Sequence, residues 1–274
     1  EALDARDEAV GVFNRAALHD VGRETAFPPD TPISVLAAEA SRSPNDARKM
    51  VPYIRALYNV GDLDAAFFQA KRLQNGNPGA SAAHILVADT ALARGDYDEA
   101  LNALDQARKI RFSESVLLRI VEALRAKGTM QQSGEVLAQY LSYNPTNVSG
   151  LRWMAYAHLE TENWEVARYM LENLRKRIGE NDALIMAGLA QAYTGLGQTE
   201  KAIAAGRIAY HVQPSSPVVS HLYGLAVLAD GKRNKDAVDL IEKAVAIAPN
   251  NTAYRRSLSR AYAALRANKK QAET

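Results

Sequence analysis

The stretch NDALIMAGLAQAYTGLGQTEKAIAAGRIAYHVQP, residues 181–214, contains two amphipathic helical patterns joined by a short turn with two glycines. In its first half the apolar residues have the i, i+3, i+4, i+7 spacing of one helix face: Met186, Leu189, Ala190 and Tyr193. The second half repeats this spacing with small residues, and a proline closes the stretch. The pattern predicts a hairpin of two helices.

The same organisation recurs along the chain at intervals of 33 to 35 residues. In each copy a turn position separates the two helical patterns, and Ala or Ser follows it five or six residues later. Prolines recur in phase, 17 or 18 residues after four of these turns. The turn positions are Gly61, Gly95, Gly128, Glu162, Gly197 and Gly231. Such a period is typical of helical repeats that stack side by side and share one core.

The pattern resembles the tetratricopeptide repeat, in which a Leu-Gly pair, a Tyr, a turn Gly, a small crossing residue and a final Pro follow in order. Leu189-Ala190 with Tyr193 matches the first part of that motif. The small residues at the helix crossing are Ala66, Ala100, Ala167, Ala202 and Ala237. The departures are Ser133 for Ala, Phe112 and Gly179 for Pro, and Glu162 for Gly. The resemblance implies an all-α, right-handed superhelical solenoid of stacked helix-turn-helix hairpins.

Three segments follow from this resemblance. Residues 47–251 are predicted to hold six repeat units, and residues 252–274 to form a capping helix, Thr252 to Leu265, with a frayed tail. Residues 1–46 are predicted to form a degenerate N-terminal hairpin that caps the stack, because terminal units of such arrays are atypical.

The N-terminal segment has its own local signals. Residues 1–18 have a helical pattern, whereas residues 21–32 are too polar and Pro-rich for a helix and predict an extended loop. Thr31 and Pro32 form a plausible N-cap and first helical residue, so a helix is expected from there to about Arg42.

The segment TGLGQTEKA, residues 194–202, has the Gly, Thr and Lys content of a phosphate-binding loop. A P-loop, however, requires the order G-x-x-x-x-G-K-[ST] between a strand and a helix. Neither that spacing nor a strand pattern is present, and Gly195 and Gly197 fall at the turn of a repeat. We therefore interpret both glycines as structural and expect Lys201 to face solvent.

No constellation of catalytic or metal-binding residues stands out in the sequence. The chain has no Cys, and no two of its five His have i, i+4 spacing. His84 and His158 fall on apolar stripes, which favours a packing role. Trp164 falls at a turn position that packs in sibling units, whereas Trp153 lies off the buried stripe and is expected to be partly exposed. We predict a non-catalytic protein with no cofactor and no metal ion.

Composition restricts the partners and the compartment. The net charge is only +2, which argues against nucleic-acid binding, since a clustered basic excess would be expected there. No apolar run approaches the roughly 18 residues of a membrane span. The chain opens at Glu1, which indicates a mature form or an excised piece. The 49 Ala and the 22 Arg against 11 Lys are typical of a bacterial source. A soluble protein of the periplasm or the cytoplasm is expected, and we favour the periplasm.

The resemblance also implies a concave groove lined by the first helix of each hairpin. The helix positions that point there carry Arg, Tyr and aliphatic residues, whereas a solvated face would carry more Lys and Glu. Tyr and Arg are common interface anchors. The predicted peptide-binding residues are Arg48, Arg55, Tyr58, Asp89, Leu92, Arg125, Arg152, Tyr156, Gln191 and His221. Packing inside the repeats is the alternative role for the aliphatic positions.

The function predicted from these features is a protein–protein interaction scaffold that binds a peptide or protein segment in its concave groove. The alternative is a structural module of a larger bacterial cell-envelope protein, active in export, polysaccharide secretion or outer-membrane assembly. Such a module could self-associate into a homo-oligomer. Some members of the family clamp a peptide carboxylate with Lys and Asn on neighbouring first helices. The absence of such a set here disfavours binding of chaperone tails.

Overall fold

The repeats predicted from the sequence are present as α-helices joined by short turns. The computed structural model describes residues 27–28 and 30–272, without the side chains of Met130 and residues 269–272. The helix predicted over residues 1–18 lies outside the described residues. The described part contains fourteen helices and no strand: α1 Ile33–Arg42, α2 Ala47–Asn59, α3 Leu63–Gly76, α4 Ser81–Arg94, α5 Tyr97–Ile110, α6 Glu114–Lys127, α7 Met130–Tyr143, α8 Val148–Glu160, α9 Trp164–Ile178, α10 Ala183–Gly195, α11 Thr199–Val212, α12 Pro217–Asp230, α13 Asn234–Ile247 and α14 Thr252–Ala272.

The described chain divides into two units, one that ends at Tyr140 and one that begins at Leu141. The N-terminal unit contains α1, the hairpins α2–α3 and α4–α5, and α6 with most of α7. The C-terminal unit contains the hairpins α8–α9, α10–α11 and α12–α13, followed by α14. In both units each hairpin packs against the next one, so the chain is an all-α stack of helical hairpins. We call α2, α4, α6, α8, α10 and α12 the first helices, and their hairpin partners the second helices.

The turns between paired helices require a left-handed backbone at one residue. At five turns this residue is Gly, with φ between 68° at Gly197 and 83° at Gly61. At the remaining turn it is Glu162, with φ 58°. A side chain in this region is strained, whereas Gly adopts it at little cost. The glycine pattern of the sequence therefore marks the helix boundaries, as predicted.

The helices cross at small residues, as the pattern predicts. Ala66, Ala100, Ala167, Ala202 and Ala237 each have no exposed surface. At Gly224 the position that a Cβ would take lies only 2.6 Å from Cγ1 of Ile241, so α12 and α13 approach closely there. The stripe Met186, Leu189, Ala190 and Tyr193 is buried, at 8% exposure or less. Each unit has its own apolar core built from such stripes.

Two helix ends differ from the prediction. α1 begins at Ile33 with Pro32 as N-cap, because the Thr31 hydroxyl donates backwards to the Pro28 carbonyl at 2.8 Å and caps no helix. The last helix continues past Leu265 to Ala272. Asn268 donates to the Gly231 carbonyl at 2.9 Å, which anchors this extension to the end of α12.

Candidate interaction surface

In the N-terminal unit, charged residues of three consecutive first helices come together around Asp89. Arg119 on α6 donates to both Asp89 oxygens on α4, from Nε at 2.7 Å and from Nη2 at 3.2 Å. Both side chains are buried, with 3% and 10% of their surfaces exposed. Arg119 also donates to the carbonyl of Ser115 at 3.2 Å and to its hydroxyl. The pair therefore links α4 directly to α6, the next first helix along the chain.

Arg55 on α2 completes this charged row. Burial lowers the pKa of the Arg55 guanidinium, and the negative charge of Asp89 partly offsets that effect. The Asp89 carboxylate thus interacts electrostatically with Arg55 as well as with Arg119, so the row Arg55, Asp89 and Arg119 brings together charged groups of α2, α4 and α6. Arg119 is not among the residues predicted from the sequence. The sequence signal for Arg119 is an Arg within the otherwise apolar stretch VLLRIV, residues 116–121 of α6.

The other predicted residues of this unit differ in exposure. Arg48 is exposed and lies 3.4 Å from the Asp46 carboxylate, whereas Arg125 is half-buried. Tyr58 is half-buried against the core. Leu92 is 7% exposed and belongs to the core, so packing accounts for it, as the alternative stated. Asp89 is equally buried, so it would not contact a bound partner directly and would act on it through the orientation of the arginines beside it.

In the C-terminal unit, α8 presents a cluster of half-buried residues with aromatic rings. Arg152 Nη1 donates to Asp182 at 2.8 Å, and the Tyr156 hydroxyl donates to the Leu184 carbonyl at the same distance. The ring of Trp153, half-buried as expected, lies 6.4 Å from that of Tyr156. These contacts join α8 to the start of the next first helix, α10. They fix the orientation of the side chains on this face.

Two further predicted residues lie on α10 and α12. Gln191 is half-buried. His221 is only 9% exposed, because its ring packs 4.5 Å from that of Tyr254 and its Nε2 lies 2.9 Å from the Ser257 hydroxyl. Burial lowers the pKa of the His221 imidazole to about 4. His221 is thus part of the interface between α12 and α14 and does not form an open surface.

The turn at residues 194–202 has the structural role expected from its spacing. Gly197 has φ 68°, and Lys201 is exposed beside Gln198, with Nζ 3.1 Å from Oε1. The Trp164 ring fills the space beside Gly195, where a Cβ would lie 2.3 Å from the ring. Trp164 is half-buried against the core, as its turn position predicts.

Three observations concern roles other than protein binding. Among the described residues, no group of three or more His, Asp or Glu side chains is placed to hold a metal ion. His84 is buried, with Nδ1 2.8 Å from the Gln74 amide and Nε2 2.7 Å from the Pro78 carbonyl, so both ring nitrogens have structural partners. Of the helices described, none combines the length and apolar character needed to cross a bilayer.

A polar cleft of about 490 Å³ lies between α3 and α5 of the N-terminal unit. His84 and Pro78 form part of its wall. Lys71 and Glu99 line it and pair with each other at 2.7 Å. Its charged groups therefore already have partners inside the protein.

Comparison with known proteins shows similarity in structure alone. No protein-family model matches the sequence, and no curated protein matches it. A chain of the APC/C hetero-tetramer Cut9–Hcn1 is 17% identical, with a TM-score of 0.67 over 95% of the present chain. The present chain spans about half of that protein, 52% of its length.

Two bacterial structures are also similar. A tetratricopeptide repeat protein from Parabacteroides merdae is 14% identical, with a TM-score of 0.66 over 95% of the present chain and 98% of its own. A thermophilic TPR protein from Thermus thermophilus is 20% identical, with a TM-score of 0.54 over 68% of this chain and 99% of its own. Together with the hairpins and turns described above, these similarities show that the chain has the tetratricopeptide repeat fold.

Proposed function

We propose that this chain is a non-catalytic protein–protein interaction scaffold that binds an extended peptide or protein segment along its first helices. The observation that carries the proposal is the row Arg55, Asp89 and Arg119, which links three consecutive first helices. A stack of hairpins repeats one surface at regular intervals, which suits an extended partner. The similar Cut9–Hcn1 structure is a hetero-tetramer, which supports a role in assembly.

The charged row suits the backbone of such a partner. A guanidinium is a rigid fork of donors that matches carbonyl and carboxylate oxygens. The buried Asp89–Arg119 pair connects α4 to α6, and the half-buried Arg55 interacts electrostatically with Asp89. Side chains that are already ordered lose less conformational entropy when they bind. Arg55 is therefore the residue in this unit best suited to hydrogen bond acceptors of the partner.

The α8 cluster would supply a second anchor in the C-terminal unit. Binding energy at protein interfaces concentrates in a few residues, and Trp, Tyr and Arg are enriched among them. Arg152, Trp153 and Tyr156 combine these residue types with fixed orientations. The apolar part of this cluster would contact side chains of the bound segment.

The test is a pull-down from a lysate of the source organism with wild type and the variant Arg55→Glu, Arg152→Glu, Tyr156→Ala. A matched control changes the same residue types at exposed positions of second helices: Arg177→Glu, Arg207→Glu and Tyr169→Ala. Partners that wild type and the control retain and the first variant loses would support binding along the first helices. Equal retention by all three proteins would contradict it. Circular dichroism must show that both variants are folded, because Arg152 and Tyr156 have structural partners.

Self-association as a structural module is the second candidate. It is favoured by large apolar side chains that are exposed on second helices, such as Phe68 at 65% and Tyr143 at 74%. In this role the chain would form homo-oligomers or contact other parts of a cell-envelope protein. Light scattering that shows a monomer at high protein concentration would contradict self-association.

A further inference from the structure

The last helix, α14, differs from the rest of the chain in charge. Its 21 residues include six Arg or Lys and no Asp or Glu. Four of them have described side chains, and all four are exposed: Arg255, Arg256, Arg260 and Arg266. None of these four guanidinium groups forms an ion pair with another described residue. The basic residues of α14 therefore form an uncompensated positive surface.

The opposite side of α14 is already used in packing. Tyr254, Ser257 and Ala261 are buried, and Leu258 and Leu265 pack with Val238 and Ile241 of α13. At 3.6 residues per turn, the four arginines fall on the side of the helix that faces away from these contacts. The apolar side is thus unavailable for insertion into a bilayer, which is how an amphipathic helix binds membranes.

The arrangement of charges on α14 is unfavourable for the isolated protein. Arg256 and Arg260 are like charges at i, i+4, an arrangement that destabilises a helix. Arg255 lies in the first turn, where the helix dipole disfavours a positive charge. A nearby carboxylate, that of Glu242 on α13, accepts a hydrogen bond from the Tyr262 hydroxyl. A negatively charged partner would reduce both the repulsion between Arg256 and Arg260 and the unfavourable interaction of Arg255 with the helix dipole.

We propose that the exposed face of α14, formed by Arg255, Arg256, Arg260 and Arg266, docks an acidic segment of a partner protein. The charge of the remaining chain supports this partner over nucleic acid or an anionic membrane. Outside α14, the other 27 Lys and Arg are outnumbered by 31 Asp and Glu. Nucleic acid or an anionic membrane would extend beyond α14 and be repelled by the net negative charge of the remaining chain. A short acidic segment, in contrast, needs to contact α14 alone. The proposal goes beyond binding along the first helices, since it concerns a different surface.

The experiment measures fluorescence anisotropy of a labelled peptide of alternating Glu and Ser at about 50 mM and about 150 mM salt. It compares wild type with the variant Arg255→Gln, Arg256→Gln, Arg260→Gln, Arg266→Gln. A control with the same change in net charge carries Arg72→Gln, Arg111→Gln, Arg177→Gln and Arg207→Gln, all at exposed positions. Gln and Arg have similar helix propensities, so α14 should persist, and circular dichroism verifies this.

We expect wild type and the control to bind the peptide with similar affinity and the α14 variant to bind at least tenfold more weakly. A peptide with Gln in place of Glu should not bind. The proposal is overturned if both variants lose affinity equally, if wild type shows no binding at the higher salt, or if duplex DNA or phosphatidylserine vesicles bind α14 as tightly as the acidic peptide. Concentration-dependent self-association that the α14 variant abolishes would also overturn it, since the occupant would then be a second copy.

Discussion

Arg119 and Asp89 form a buried, two-point ion pair that joins α6 to α4, with N–O distances of 2.7 and 3.2 Å. Removal of Arg119 would take away the two hydrogen bonds of the buried Asp89 carboxylate, which would still interact with the positive charge of Arg55. Breaking a buried ion pair typically costs about 3–5 kcal/mol. We therefore expect Arg119→Leu to lower the free energy of unfolding by up to about that amount, as measured by urea denaturation.

The double variant Asp89→Leu, Arg119→Leu tests whether the pair itself stabilises the N-terminal unit. Replacement of a buried ion pair by apolar residues is often neutral, so the double variant should be more stable than Arg119→Leu alone. A double variant as unstable as the single one would show that the loss arises from packing and not from an unpaired charge.

Gly195 should not tolerate a side chain, because the Trp164 ring occupies its Cβ position. We expect Gly195→Ala to destabilise the C-terminal unit by about 1–3 kcal/mol through overpacking. Gly134, inside α7, has no atom within 4 Å of its Cβ position, so Gly134→Ala should instead stabilise by about 0.5–1 kcal/mol.

Thermal and urea unfolding of both Gly variants check this difference in sign. The double variant Gly195→Ala, Trp164→Leu should recover part of the stability lost in Gly195→Ala, since the smaller Leu side chain leaves room for the added methyl group. If the two Gly variants shift stability in the same direction, the close approach of Trp164 to Gly195 is not the cause.

Among the residues that the structure describes, Glu162 is the one residue other than Gly that has a left-handed backbone, with φ 58°. Glu162→Gly should raise the free energy of unfolding by about 0.5–1 kcal/mol, because the strain of a Cβ in this region is removed. The reciprocal change Gly95→Glu, at φ 79° and with open space around it, should lower stability by a similar amount. Urea unfolding of both variants measures the two effects, and Glu162→Ala should show no gain.

His221 should make the C-terminal unit sensitive to mild acid. In the folded protein the imidazole pKa is about 4, below the ordinary value of 6.5. Between pH 4 and 6.5 the unfolded chain therefore binds a proton at His221 more readily than the folded protein does. The stability that His221 contributes is fully present above pH 6.5 and is lost as the pH falls toward 4. The total loss is on the order of 3 kcal/mol.

The measurement is the free energy of unfolding between pH 7 and about 5, a range in which most carboxylates stay ionised. His221→Gln should show a shallower decline than wild type over this range. An NMR titration that places the imidazole pKa of the folded protein near 6.5 would contradict the burial described for His221.

The helices and turns could be predicted from the sequence to a large extent, because they depend on neighbours within about four residues. The turn glycines and the small crossing residues have the roles that their spacing indicates, and Met186 and Leu189 are buried as predicted. The ends of α1 and α14 were missed. Thr31 bonds to a residue before it, and Asn268 bonds to Gly231, 37 residues away.

The candidate site was less predictable. A helical wheel assigns Asp89, Leu92 and His221 to one row with Arg48, but it contains no information on what packs over each position. Arg119 was missed for the same reason, since its partner lies 30 residues away on another first helix. Whether the exposed members of the row bind a partner stays a prediction.

The sequence by itself determined the repeat: its period, the Gly at the turns and the small residues where helices cross, all of which follow from backbone conformation and local spacing. Only the tertiary structure decided which positions of the predicted row are open and which are buried. Asp89 is covered by Arg119, and His221 by Tyr254 and Ser257. Such contacts join side chains from different repeats, and they exist only once the hairpins have stacked.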